Sequence, residues 1–359
     1  MVPETLTNIE ALAGRLVTAL ETFESAQRSY FPGIVPLLRE QLTPAIDELE
    51  AAKGGCEAAT APPGKEALRE KALEASELCL DALKLSIAAD SLEEALANFR
   101  KAGRRVYRAL EILLPLCPLI HAVNRYFLEP AVHGRASDYL PNPEAAPATG
   151  LFHGGLDEDP YARGSVSFYI PESRDRSEPF PLVVALHGGF GHGRDFIWTW
   201  LREARSRRFV LACPSSVNIT WSITGPDSDA QLLHKVLAYA ANRWNIDYSR
   251  ILLTGLSDGA TYALKRALDI QTPFTHFAVV SGILAPFDLT HAKGRKILWV
   301  HGAKDWMFPV WRAKSGEKEL AAAGADVTLE IVPDLHHAYP REKNDRILTW
   351  FDRRLSLTP

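Results

Sequence analysis

The chain has 359 residues and a formal net charge of −4, with 47% of the residues apolar and 23% charged. That length exceeds the roughly 100 to 200 residues over which one core usually forms, so one large domain with a smaller companion is expected. The charge balance supplies no basic excess to neutralise a phosphate backbone, which excludes nucleic acid as an expected partner.

The opening Met-Val-Pro-Glu-Thr-Leu-Thr has no basic region ahead of an apolar run and a cleavage site, and a cytoplasmic location is expected. From Ala13 through Leu16, Leu20 and Phe23, apolar residues recur at three- and four-residue steps, the period of one helix face. Leu38, Leu42, Ile46 and Leu49 repeat the pattern, as does the Leu/Ala/Glu-rich stretch from Lys65 to Ala89. Gly54, Gly55 and Pro62 to Gly64 mark the break between these two. Ser91 and Glu94 form a capping box opening a helix expected to bury Leu92, Leu96, Phe99, Val106 and Leu110. The apolar run Ala109 to Val123 carries Glu111, His121 and two prolines and falls short of the roughly 20 residues of a membrane span; it predicts a buried helix pair.

Residues 1–130 thus predict an all-helical domain that can cap an active site, form a homodimer interface or bind another protein. Cys56, Cys79, Cys117 and Cys213 are scattered without a C-x-x-C pair and read as reduced, packed thiols.

Residues 131–164 change character. Prolines at 130, 141, 143, 147 and 160 and glycines at 134, 150, 154 and 155 replace helical periodicity, and the connection between domains is placed here. From 165 to 359, apolar strand-like runs occur at Ser165 to Ile170, Leu182 to Leu186, Phe209 to Cys213, Ile251 to Thr254, Phe277 to Val280, Ile297 to Val300 and Val327 to Val332. Helical stretches separate most of them, at Asp195 to Ala204, Asp229 to Trp244, Ala260 to Asp269, Pro309 to Ala323 and Arg341 to Leu355. That alternation predicts an α/β domain with a largely parallel sheet between two helix layers.

The strand ending at Thr254 runs into Gly255-Leu-Ser257-Asp-Gly259 and then a helical stretch, the context of a nucleophile elbow. A serine hydroxyl needs a base, and the base needs an orienting acid. Asp305 lies beyond the strand Ile297 to Val300, where catalytic groups of parallel sheets gather. The last strand leads to Pro333-Asp-Leu-His336-His337-Ala-Tyr-Pro340, so either histidine can serve as base, while Asp334 suits a local turn better than the acid role. Leu186-His-Gly-Gly189-Phe190-Gly-His-Gly193 follows an apolar strand, and its glycines let backbone N–H groups approach an oxyanion, with the N–H of Asp258 as second donor. No G-K-[ST] accompanies it, which argues against a phosphate loop.

On these motifs residues 165–355 resemble the carboxylesterase and dienelactone-hydrolase-like branch of the α/β-hydrolase superfamily. The resemblance implies an α/β-hydrolase fold, and through the pattern Asp-Leu-x-His-x-Tyr-Pro it implies His337 as the base. It also implies Gly189 as the first oxyanion donor, with Phe190 taking that part in a lipase-like loop. All eight tryptophans follow residue 197; Trp221 and Trp306, with Phe190, are candidates for the substrate pocket. No H-x-x-x-H and no Cys/His quartet is present, so neither metal nor cofactor is expected.

The sequence therefore predicts a serine esterase acting on a small-molecule ester through Ser257, His337 and Asp305. Thioesterase, lipase or phospholipase, peptidase and acyltransferase chemistry use the same constellation. A helical interaction module with a vestigial hydrolase domain is the rival from another class, and the intact serine, acid and histidine argue against it.

Overall fold

A computed structural model describes residues 4–31, 33–61, 63–89, 91–140, 149–154, 159, 161–172 and 178–357. They fall into two compact units, residues 1–140 and 141–359. Among the described residues no helix is long and apolar enough to cross a membrane.

The first unit contains α1 (Glu4–Ser29), α2 (Val35–Ala58), α3 (Glu66–Ile87), α4 (Leu92–Leu113) and the short α5 (His121–Tyr126). Its core takes Leu12, Leu16, Leu20 and Phe23 from α1, Leu38, Leu42 and Leu49 from α2, and Leu83 from α3, all fully buried. Gly54 and Gly55 do not break α2, which continues to Ala58. Each glycine costs about 1 kcal/mol in a helix interior. The helix end is secured by Arg69, which donates to the carbonyls of Cys56 (2.9 Å) and Glu57 (2.7 Å). Pro62, expected in the same break, lies outside the described residues.

Helix α4 begins where the capping box predicts, with the Glu94 N–H donating to Ser91 Oγ at 3.2 Å. Its inward face differs from expectation. Leu92 is exposed because it occupies the first helical position, ahead of the buried stripe Ala95, Ala102, Val106, Ala109, Leu110 and Leu113. Phe99 is half-buried and stacks on Tyr30, ring centroids 4.0 Å apart. The small residues let α4 lie close against α3. All four cysteines are free and buried, and burial alone pushes the Cys79 thiol up to about 12.

The second unit is an eight-stranded sheet of β1 (Gly150–Gly154), β2 (Val166–Ile170), β3 (Phe180–Leu186), β4 (Val210–Pro214), β5 (Ile246–Leu256), β6 (His276–Val280), β7 (Lys296–Gly302) and β8 (Asp326–Val332). The order is β1-β2-β4-β3-β5-β6-β7-β8. The pairs β1/β2 and β2/β4 are antiparallel, and all others are parallel. Its helices are α6 (Gly193–Phe196), α7 (Leu201–Arg207), α8 (Ser228–Arg243), α9 (Asp258–Ala267), α10 (Val310–Ala322) and α11 (Asn344–Phe351).

Alternation along the strands divides the core. Val184, Leu253, Val279 and Trp299 pack with Leu233 and Val236 of α8, Leu264 of α9 and Leu320 of α10. The intervening Val183, Leu252, Ala278 and Leu298 are equally buried, as they must be in a sheet covered on both faces. Strand β1 falls in the stretch expected as connection, of which residues 141–148, 155–158 and 160 lie outside the description. It is a half-buried edge strand bounded by glycines, so it lacks the continuous apolar run that marks the other strands.

Truncating the fully buried Leu83 to alanine should destabilise the helical unit by about 2–5 kcal/mol, read as a loss in chemical denaturation of far-UV ellipticity.

Candidate active site

The parallel order places the carboxyl ends of β3, β5, β6, β7 and β8 along one edge of the sheet, where the chemistry-bearing loops emerge. Ser257 follows β5 at φ 55°, ψ −116° and caps α9. That left-handed backbone costs about 1–3 kcal/mol in a residue with a side chain. It is held by hydrogen bonds from Ser257 N–H to Val280 O (2.9 Å) and from Thr261 N–H to Ser257 O (2.9 Å).

The flanking glycines are steric requirements. A Cβ on Gly255 would lie 2.6 Å from the carbonyl carbon of Gly259, and one on Gly259 would lie 2.5 Å from His187 O. The G-x-S-x-G spacing is thus the condition for β5, α9 and the loop after β3 to meet.

His337 Nε2 lies 2.9 Å from Ser257 Oγ, and its Nδ1 lies 2.9 Å from Asp305 Oδ2. With Nδ1–H donating to the carboxylate, Nε2 is left to accept the serine O–H. The same loop puts His336 beside it, half-buried, and turns Asp334 to solvent. Asp305 is buried and its Oδ1 accepts the N–H groups of Met307 (3.0 Å) and Phe308 (2.7 Å). His301 is fully buried under it, 3.6 Å from Asp305 Oδ2, and its Nε2–H donates to Phe308 O at 2.7 Å. Burial lowers the His301 pKa, so its ring is neutral and fixes the turn that carries the carboxylate. Sequence reasoning missed this histidine; the available signal was its place at the end of β7.

The loop after β3 is fastened by polar contacts. His187 Nε2 accepts the Ser216 N–H at 3.0 Å while Nδ1–H donates to Gly188 O at 2.7 Å, and burial pushes its pKa down to about 3. Trp221, expected at the pocket wall, is buried behind this loop, where its indole N–H donates to His187 O at 2.8 Å and its ring stacks on Tyr262. Among the described residues the N–H groups of Gly189 and Asp258 have no protein acceptor, whereas Phe190 N–H is committed to Ile219 O at 3.2 Å. Phe190 is largely and Trp306 partly exposed, and the Trp306 ring meets His337 edge-on at 6.1 Å.

A second carboxylate was not found from sequence. Asp229 is fully buried and accepts the N–H of Val217 (2.8 Å), the N–H of Ser222 (2.7 Å) and the Ser222 hydroxyl (2.7 Å). It ties together the loop 217–222 that carries Trp221. In the sequence it reads only as an acidic residue in the first turn of α8.

Residues 225–352 match the phospholipase/carboxylesterase family. The second unit has the α/β-hydrolase fold and is similar to this family. Esterase YpfH of Escherichia coli strain K12 is 24% identical to this chain over 195 residues, covering 52% of the chain and 74% of the relative. Among solved structures, a thermostable esterase is 20% identical with a TM-score of 0.46, over 56% of this chain and 62% of that one. A fluorophosphonate-binding serine hydrolase of Staphylococcus aureus, FphF, is 14% identical with a TM-score of 0.46, over 57% and 99% respectively.

The depressed pKa of His187 makes the second unit acid-sensitive. A histidine at about 3 in the folded chain and near its ordinary 6.5 when unfolded supports stability fully above pH 6.5 and loses that support as pH falls toward 3. His276, lowered to about 4 by burial, adds the same trend. Thermal melts of wild type and His187→Gln between pH 7 and 4 should show the shallower pH dependence in the variant.

Proposed function

We propose that the chain hydrolyses carboxylic esters through an acyl-enzyme on Ser257. The observation that carries this is the unbroken line from Asp305 through His337 to Ser257 Oγ, with both contacts at 2.9 Å. Ser257 Oγ attacks the ester carbonyl carbon while its proton passes to His337 Nε2. Asp305 holds the ring in the required tautomer and stabilises the imidazolium. The tetrahedral oxyanion lies between the N–H groups of Gly189 and Asp258. His337 then returns the proton to the departing alcohol, and a water activated by the same nitrogen releases the acid.

All reacting groups lie between residues 187 and 337, and the helical unit contributes no chemical step in this reading. The exposed rings of Phe190 and Trp306 suit an apolar portion of the substrate. Thioester, amide or acyl-transfer chemistry uses the same attack geometry, so the kinship with esterases supports the ester over these.

A fluorophosphonate probe should label the chain at Ser257, and Ser257→Ala should lose both labelling and ester turnover. Labelling that persists in that variant assigns the nucleophile elsewhere.

The paired histidines give a separate check. His337→Ala should lower kcat on a small ester by roughly 10³-fold or more, while His336→Ala should cost much less. The opposite ranking in steady-state kinetics would move the base to His336.

A further inference from the structure

Asp258 follows the nucleophile directly, and its side chain has no role in the chemistry described above. It is half-buried, and Thr220 Oγ1 donates to its Oδ2 at 2.6 Å. Among the described residues that hydroxyl is its sole hydrogen-bonding partner, and no lysine, arginine or histidine pairs with it. The same oxygen lies against the Gly189 backbone, where a Cβ would approach it to 2.6 Å.

A carboxylate is thus packed onto the loop proposed to hold the oxyanion. A like charge so close opposes negative charge building on the carbonyl oxygen, and a partly water-excluded site strengthens that opposition. Asp227 and Asp352, similarly half-buried, are paired with arginines, while the fully buried Asp229 is held by hydrogen-bond donors alone. Among the described residues Asp258 has no cationic partner, so a cation entering the site meets a carboxylate stabilised only by the Thr220 hydroxyl.

Phe190 supplies the second observation. It is 61% exposed, so burial does not explain it, and yet it is held at φ 62°, a left-handed conformation unfavourable for an aromatic residue. The hydrogen bond from Phe190 N–H to Ile219 O joins its loop to the segment bearing Thr220. A carboxylate at the start of α9, held by Thr220, and an exposed aromatic ring on the loop joined to the Thr220 segment together have the chemistry that receives a substituted ammonium, by charge attraction and cation–π contact.

We propose that Asp258, positioned by Thr220 and accompanied by Phe190, forms a subsite for a cationic group carried close to the scissile carbonyl, and that the preferred substrates are esters with a substituted ammonium. This rests on Ser257 being the nucleophile. The charge can sit on the acyl or the alcohol side, and two isosteric pairs distinguish them. On the acyl side they are the p-nitrophenyl esters of 4-(trimethylammonio)butyrate and 5,5-dimethylhexanoate. On the alcohol side they are the acetates of choline and 3,3-dimethylbutanol.

In the wild type, kcat/KM for the cation over its neutral isostere should be at least about tenfold in one pair and should fall with added salt. In Asp258→Asn the ratio should approach one. Taking the ratio within one variant cancels any change in the oxyanion hole. Thr220→Val, which frees the carboxylate without removing it, should lower the ratio part-way and replaces Asp258→Asn if that variant does not fold.

A wild-type ratio near one in both pairs, or a high ratio that survives both substitutions, overturns the subsite while hydrolysis of the neutral esters leaves the Ser257 reading standing. Failure of the wild type to hydrolyse any of the four esters, neutral ones included, removes both.

Discussion

The backbone at Ser257 sets the conditions for the rest of the second unit. A serine at φ 55° can be held only if the strand before it and the helix after it close on one another, and that closure leaves no room for a Cβ at Gly255 or Gly259. The carbonyls that crowd Gly259 belong to Leu186 and His187, so β3 must lie beside β5 in parallel with its end in step. On the other side Val280 at the end of β6 accepts the Ser257 N–H. One strained residue therefore fixes the register of three strands, and β7 and β8, added in parallel, bring Asp305 and His337 to the same edge.

This chain of constraints explains which parts of the molecule could be read from sequence. Obligatory glycines leave a local signature, so the elbow and the loop after β3 were visible, as were buried strands with continuous apolar runs. The choice between His336 and His337 was not local. It depends on the path after β8, where Lys304 N–H donates to the carbonyl of the fully buried Leu335 and Ala303 N–H to that of Val332, which sets the loop so that the second histidine points to Ser257. Asp229 and His301 were invisible for a related reason. Each works by hydrogen bonds to backbone distant in sequence or across a turn, and a single polar residue at an element's end resembles a cap. Strand β1 and the inward face of α4 were misjudged because an edge strand and a helix packed through alanines carry weak apolar patterns.

The edge of the sheet combines two kinds of surface. Beneath, buried polar groups such as His187, Asp229 and the Trp221 indole are fully engaged, which stiffens loops that would otherwise be mobile. Above, Phe190, Ile219, Trp306, Met307 and Trp311 stand exposed. In the proposed reaction, rigid donors below hold the carbonyl, and the exposed apolar area above is what remains to select among substrates.

The distribution of cysteines gives the two units independent internal reporters. Cys56, Cys79 and Cys117 are sealed in the helical unit and Cys213 in the sheet, and burial holds the thiols of Cys56, Cys79 and Cys213 in the unreactive protonated form. Alkylation of any of them has to wait for a local or global opening, and the site of modification names the unit that opened. The native chain can therefore be followed by thiol trapping and mass spectrometry with no engineered label, separating breathing of the helices from breathing of the sheet.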